Sequence, residues 1–317
     1  MSTDTLEKYV QKMERLRVDR AHGIAPHKPL LLLAVIELIE RGQIQENTIS
    51  LSPDLAETFI KYWSKITDRK PNIALPFFHL KSDGFWHLHP NAGYEKVLDV
   101  ADRITAISRL REVIAYVSLD DDFFVLFTDA SNREIIRQTL IYVYLIEFKQ
   151  EIEGLIAEEK QITEYEQSLI SEVEHPFLFE KSTASIPEES SIRSAGFRQA
   201  IMGLYDYTCA VCRLRIVTMD GESAIDAAHI IPFHISKNDD VRNGISLCKL
   251  HHWSFDKGLL SLSKTYQVLV SPLMSDQRPT EWLLTELQDK SILLPEHDQL
   301  YPAPDALAWH REEMLKR

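Results

Sequence analysis

The feature that most constrains this chain is a window, residues 208–258, that holds all three of its cysteines and four of its twelve histidines. Cys209 and Cys212 form a C-x-x-C, and Cys248 with His251 forms a C-x-x-H. Two residues between donors let one tight turn aim both at a single ion, and a second such turn completes a tetrahedral set that suits Zn²⁺. Lone cysteines are usually small core residues, but two paired half-sites that consume every cysteine are not a core pattern. Four protein ligands leave no open coordination position, so this zinc is expected to be structural. An odd cysteine count at this spacing also speaks against a disulfide framework.

After the zinc is assigned, His229, His234, Asn243, His252 and Asp256 remain in the same window. The stretch LCKLHHWSFDKGLL (247–260) reads as the start of a helix. His252 and Asp256, four apart, share one helical face there, where an imidazole and a carboxylate can hold a second cation. The run AIDAAHIIP (224–232) reads as a strand, and His229 near its end is placed to act as a base on water. Each residue alone has a bland reading as a satisfied surface or core group; together they call for a common one.

The window resembles an HNH (ββα-metal) nuclease module of the McrA-like restriction type, over residues 198–263. Its three signature positions are His229 in AAHI, Asn243 in RNGISLC and His252 in LHHWSFD. The resemblance implies hydrolysis of DNA phosphodiesters with one divalent ion, Mg²⁺ or Mn²⁺. It makes His229 the general base and Asn243 the residue that holds the hairpin orienting it. His252, with Asp256, becomes the metal ligand. Many relatives carry an Asp or His directly before the base, where this chain has Ala228; Asp226, two residues earlier on the same strand face, is the candidate replacement.

At 317 residues, 44% hydrophobic and 26% charged, the chain reads as a globular protein of two domains. Its polar N-terminus shows no secretory signal, and the longest apolar run (29–40) is too short to span a bilayer, so the expectation is a cytoplasmic protein with no membrane partner. A net charge of −13 argues against a non-specific nucleic-acid coat. The charge is uneven, however. Acidic residues concentrate in 147–189, whereas Lys12, Arg15, Arg17, Arg20, His22, His27 and Lys28 make the N-terminal end locally basic. Helical periodicity predicts helices over 5–17, 29–40 and 132–149, the last with Ile135, Ile136, Leu140, Val143 and Tyr144 near one face. The loop DRAHGIAPHKP (19–29) is expected to aim His27 and Lys28 outward. LPFFHLKSDGFWHLHP (75–90) reads as a β-hairpin or two short strands about Ser82, Asp83 and Gly84. Domains are expected at 1–150 and 192–317, joined by an acidic helix and linker (151–191) whose most linker-like part is 182–191. A short helix is expected over 194–208, and residues 283–317 read as peripheral helix and loop.

Within the first domain, APHKPLLLL (25–33) and LPFFHLKSDGFW (75–86) resemble the DNA sulfur-binding domain of phosphorothioate-dependent McrA-like restriction enzymes, over residues 5–149. By that resemblance His27 and Lys28 reach the DNA, with Arg20 among the basic neighbours, and Pro76 helps form an apolar pocket for the sulfur, with Leu75 in the place of its aromatic partner. A sulfur in place of a phosphate oxygen is larger and poorly hydrated, so an apolar pocket flanked by cations can distinguish it. The expected fold class is α+β: a mainly helical DNA-recognition domain with a small β element, followed by a zinc-stapled ββα-metal domain. The expected function is a modification-dependent endonuclease in bacterial defence, acting on double-stranded DNA and pairing as a homodimer to cut both strands. Two alternatives stand beside it: a zinc-stabilised DNA-binding or sensing protein that does not cut, and an HNH nuclease aimed at methylated or unmodified DNA.

Overall fold

The run of leucines at the start of the second predicted helix is buried on every side, and the first half of the chain is built round it. The computed structural model describes residues 3–20, 25–179, 190–218, 222–275 and 284–317. These divide into two units, one ending at Ala157 and one beginning at Glu158. His22, Leu283 and most of the expected linker, up to residue 189, lie outside the described residues.

In the first unit, α1 (Thr3–Glu14) precedes α2 (His27–Glu40), in which every residue from Lys28 to Leu38 is buried. Pro29 is tolerated because it sits in the first turn, where backbone N–H groups lack helical acceptors. Around α2 pack α3 (Pro53–Ser64), α4 (Ala74–His79) and, later in the chain, α8 (Ala130–Tyr144). Each buried leucine of α2 contributes roughly 1.5–3 kcal/mol relative to exposure.

Residues 75–90 do not form the expected hairpin. Their first half is α4 and a 3-10 turn (Leu80–Asp83), and only β1 (Trp86–Pro90) is extended. Pro76 supplies no N–H to a strand ladder but fits an early helical turn. The helix also lets Ala74, Pro76, Phe77, Phe78 and Leu80 all be buried, and the carbonyl of Phe77 accepts a bond from Trp86 Nε1 at 2.9 Å. After α5 (Glu95–Val100) and α6 (Ile107–Val113), β1 finds its antiparallel partner in β2 (Ile114–Leu119), with Trp86 opposite Leu119. Then follow α7 (Asp121–Leu126) and α8 (Ala130–Tyr144), the latter capped by Asp129, which accepts from Asn132 N at 3.0 Å. Ile136, Leu140 and Tyr144 face the core as expected, whereas Ile135 is exposed. The expected single helix over 132–149 is broken by a 3-10 turn (Ile146–Phe148) before α9 (Lys149–Ser171).

In the second unit, α10 (Ser190–Leu204) packs against the antiparallel pair β3 (Ile225–His229) and β4 (Gly244–Cys248), with α11 (Phe233–Ser236) in the connection between the strands. β4 runs directly into α12 (Lys249–Asp256), which packs back on the hairpin to give a ββα unit. β5 (Leu260–Leu262) and β6 (Val268–Val270) form a second antiparallel pair. The C-terminal stretch is not peripheral as expected. Ile292, Leu300, Ala306 and Leu307, the last two on α13 (Pro304–Trp309), are buried in the same core as the hairpin. Gly258 explains how the chain end closes on the module: its φ is +65°, and a Cβ there would stand 1.8 Å from the Met314 carbonyl oxygen.

Candidate active site and metal centre

The zinc knuckle is set by backbone turns. Cys209 N donates to Leu214 O at 2.9 Å and Arg213 N to Cys209 O at 2.9 Å, with Arg213 in the left-handed region at φ 63°. This folds Cys209 and Cys212 to one side. The other half-site is the start of α12, where Cys248 is the N-cap and His251 lies in the first turn. One ligand atom from each of Cys209, Cys212, Cys248 and His251 lies within 4.8 Å of the others. His251 Nδ1 is 3.1 Å from Cys248 Sγ and 3.4 Å from Cys209 Sγ. Hydrogen bonds from the Cys209 and Cys212 thiols hold the Cys248 thiol well below its ordinary range, which favours the thiolate that metal binding requires. Three sulfurs and one imidazole converging at this spacing fit a tetrahedral metal ion such as zinc.

His229 is the last residue of β3, paired across the hairpin with Gly244. Its imidazole stacks on Phe197 of α10, with ring centres 3.9 Å apart and planes inclined by 9°. His229 Nε2 is 2.7 Å from Asp239 Oδ1. That carboxylate is almost fully buried and has further donors: Arg193 Nη1 at 2.9 and 3.0 Å from its two oxygens, and Tyr165 Oη at 2.8 Å from Oδ2. Burial alone would raise the Asp239 pKa, but the bond and charge of His229, the Tyr165 hydroxyl and the Arg193 guanidinium outweigh it and hold the carboxyl below its usual range. An ionised Asp239 accepts the Nε2 proton of His229 and leaves Nδ1 as the nitrogen able to take a proton.

Asn243 is fully buried beneath the same hairpin. Its side chain accepts from Ile231 N at 2.9 Å and donates to Ile231 O at 3.0 Å and Asn238 O at 2.9 Å, tying together the two ends of the loop that leaves β3. His252 and Asp256 lie on one side of α12, with Nε2 and Oδ2 3.5 Å apart. Among the described residues the Cys₃His set is the one group of three or more such donors, so His252 and Asp256 converge as a pair. Asp226 is on β3 with its carboxylate 3.2 Å from Arg198 Nε. His234, in α11, has no role in these contacts.

In the first unit, His27, Lys28, Leu75 and Pro76 line one pocket of about 530 Å³, together with Arg17 and Arg103. Lys28 does not point outward as the loop reading expects. It is buried, and its Nζ lies 2.6 Å from Asp83 and 3.2 Å from Ser82 Oγ. The reason is its position in the first turn of α2, from which the stem lies against protein and the ammonium requires an internal partner. His27 is half-buried with its ring 4.6 Å from that of Trp63, and burial lowers its pKa. His79, also lining the pocket, is held below its ordinary value by burial and then by the positive charges of Lys28, Arg103 and Lys81. Arg20 is exposed and is not among the residues lining this pocket.

Sequence reasoning missed Asp239, Arg193 and Tyr165. Asp239 lies ten residues after His229 in SKNDDVRN, and a short-range pairing of a strand-end histidine with a following acid is the one signal that was available. Arg193 and Tyr165 are too remote in sequence to be linked to it by spacing.

Comparison with known families agrees with this geometry. The family described as HNH endonuclease matches residues 209–263. The family described as ScoMcrA-like, DNA sulfur-binding domain, matches residues 6–157. Among curated proteins no match is found. One solved structure, a modification dependent TagI restriction endonuclease, is 22% identical with a TM-score of 0.32, the match covering 40% of each chain. The chain therefore carries a ScoMcrA-like DNA sulfur-binding domain over residues 6–157 and an HNH endonuclease domain over residues 209–263.

Proposed function

We propose that the protein is a modification-dependent DNA endonuclease in which the N-terminal domain reads a phosphorothioate mark and the HNH domain hydrolyses a nearby phosphodiester. The observation that carries the cutting half is the buried Asp239 carboxylate on His229 Nε2, which holds the imidazole by that nitrogen and would leave Nδ1 to take a proton. A base within hydrogen-bond reach of water, held in one tautomer by a carboxylate, is what proton abstraction from an attacking water requires. Asn243 holds the loop at the end of β3 and so fixes where His229 stands.

His252 and Asp256 would hold the catalytic Mg²⁺ or Mn²⁺. Two protein donors suit such an ion, which keeps several waters and takes further oxygens from substrate phosphate. When bound, it supplies charge stabilisation at the phosphoryl oxygens and the leaving oxygen. Asp226 is tied to Arg198, so a ligand role for it requires that ion pair to open. The Cys₃His knuckle would hold one zinc as a structural staple, since its four donors leave no open position.

The mark-reading half rests on the N-terminal pocket. Leu75 and Pro76 give it an apolar wall, while Arg17 and Arg103 outnumber Asp19 among its charged lining residues and give it cationic character. That combination favours an anion that is poorly hydrated on one side, as a phosphorothioate is. The test is a comparison of otherwise identical duplexes, plain, methylated and phosphorothioated, with Mg²⁺ or Mn²⁺ added. Preferential binding and cutting of the phosphorothioated duplex is expected, and equal affinity for all three would refute the reading of the mark. Nicking that survives His229→Ala would refute the assignment of the base. The bacterial-defence role, the cytoplasmic location and a homodimer that cuts both strands belong to the same proposal. Among the described residues no helix is long and apolar enough to cross a membrane.

A further inference from the structure

α12 is short, and its inner face is fully accounted for: His251 serves the knuckle while Ser254 and Phe255 are buried. At 100° per residue these three side chains centre on one side of the helix. Trp253 falls almost diametrically opposite, at the crest of the outer face, and is 52% exposed. Leu250, three residues earlier and therefore its neighbour on the helix surface, is 53% exposed. Single exposed apolar residues are common. An adjoining tryptophan and leucine on the helix that carries His252 and Asp256 form a small apolar ridge instead. Lys249 and Lys257 flank the crest, both exposed and neither in an ion pair with a described residue.

From this arrangement we propose that Trp253 and Leu250 are the element with which the HNH domain seats duplex DNA, the indole lying against sugar and base edges while Lys249 and Lys257 contact the phosphates on either side. The inference rests on the nuclease reading and names residues for substrate binding that the reading itself does not. Charge complementarity selects the occupant. Cations bracketing an apolar crest match the phosphate backbones that bracket a duplex groove, and apolar side chains pressed against or between base steps are a recognised way to hold and bend a duplex. Asp256 and His252 lie on the adjoining flank of the same helix, so DNA seated on the ridge brings a backbone phosphate beside the pair that would hold the metal ion.

The experiment uses the full zinc-loaded chain. Acrylamide quenching of tryptophan fluorescence is measured with and without a duplex in a His229→Ala background that does not cut, and in the same background with Trp253→Phe, so that the difference isolates Trp253. Cutting by the otherwise unaltered enzyme is then compared with Trp253→Ala, Trp253→Phe and Leu250→Ala. DNA is expected to shield Trp253 from acrylamide. Trp253→Ala is expected to raise KM roughly tenfold or more, as truncation of a central interface aromatic does, while the phenylalanine variant stays closer to the parent. Replacing Lys249 or Lys257 by Ala is expected to lower the slope of log affinity against log salt by about one each. Unchanged quenching with unchanged KM in Trp253→Ala, when the parent binds and cuts, would overturn the ridge and leave the nuclease standing. A parent that neither binds nor cuts any of the duplexes would overturn both. If Trp253→Ala instead converts a dimer to a monomer by light scattering with DNA affinity intact, the ridge is a self-association surface and the proposal is wrong.

Discussion

Replacing Asp239 by Asn removes one negative charge and almost no volume from a buried position tied to three polar side chains among the described residues. The carboxylate is 3% exposed and holds Arg193 through both oxygens, at 2.9 and 3.0 Å, besides His229 and Tyr165. Leaving a buried cation without its counter-charge costs about 3–5 kcal/mol in general. Arg193 has some relief here: its side chain is 15% exposed and its guanidinium stands 3.8 Å over the Phe233 ring. The expected loss of stability is therefore at or just below the lower bound, about 2–3 kcal/mol, read as a fall in the urea midpoint of the zinc-loaded protein with an unchanged slope.

The pH dependence follows from the same carboxylate. The folded pKa of Asp239 is depressed, so its contribution is fully present above the unfolded carboxyl value, about 3.9, and is lost as pH falls through the lower folded value. Asp239→Asn should flatten that acid limb. For activity, an amide can present the wrong face to Nε2 and release the tautomer, and single-turnover nicking should fall by roughly 10²–10⁴. If Asp239→Asn stays within about 0.5 kcal/mol of the parent and nicks at a comparable rate, His229 is not positioned as argued.

Gly244→Ala would place a Cβ 2.3 Å from Ile201 Cδ1 and 2.9 Å from Phe197 Cζ, against the ring that stacks on His229. It should destabilise by about 1–3 kcal/mol and slow nicking more than it weakens DNA binding, which a kcat and KM comparison would separate. Cys248→Ser, or a strong chelator applied to the parent, should lower zinc content and melt the second unit, seen as lost helical circular dichroism; zinc loss without structural loss would remove the staple reading. Asp83→Asn strands Lys28, whose side chain is 9% exposed beside an Asp83 that is 3% exposed. A stability loss of roughly 3–5 kcal/mol is expected, and a neutral result by thermal denaturation would show that the pair is not the buried tie described here.

The parts that were legible in the sequence are those set by local rules. Ligand spacing made the Cys₃His knuckle readable because each half-site is one turn, and the structure brings the four donors together. The strand ending at His229 and the helix carrying His252 and Asp256 were readable from runs of apolar and polar residues. The parts that were not legible depend on tertiary partners. Residues 75–90 carry aromatic and apolar residues on both sides of a Ser82-Asp83-Gly84 turn signal, which suits a hairpin, yet burying the adjacent Phe77 and Phe78 together favours α4. Lys28 looked like an outward cation until Asp83, 55 residues away, proved to be its partner. Asp239 was overlooked because an acid in a polar loop carries no mark of burial until Arg193 and Tyr165 close over it.

The tie between Lys28 and Asp83 also changes how an acidic chain can be expected to hold DNA. With a net charge of −13 the protein as a whole repels a polyanion, so attachment must depend on a few local cations. In the N-terminal pocket Lys28 is spent on Asp83 and Ser82, yet His79 still feels its positive charge together with those of Arg103 and Lys81, after burial. The tie leaves exposed Arg17 and Arg103 as the pocket cations that, on the proposed reading, would meet a phosphate. Phosphate contacts of this kind position a duplex without distinguishing its chemistry. On the proposed reading, discrimination of a mark would then fall to Leu75 and Pro76, the apolar wall of the same pocket. Affinity and selectivity would reside on different side chains, so that a weakly attracting surface could remain indifferent to unmarked DNA.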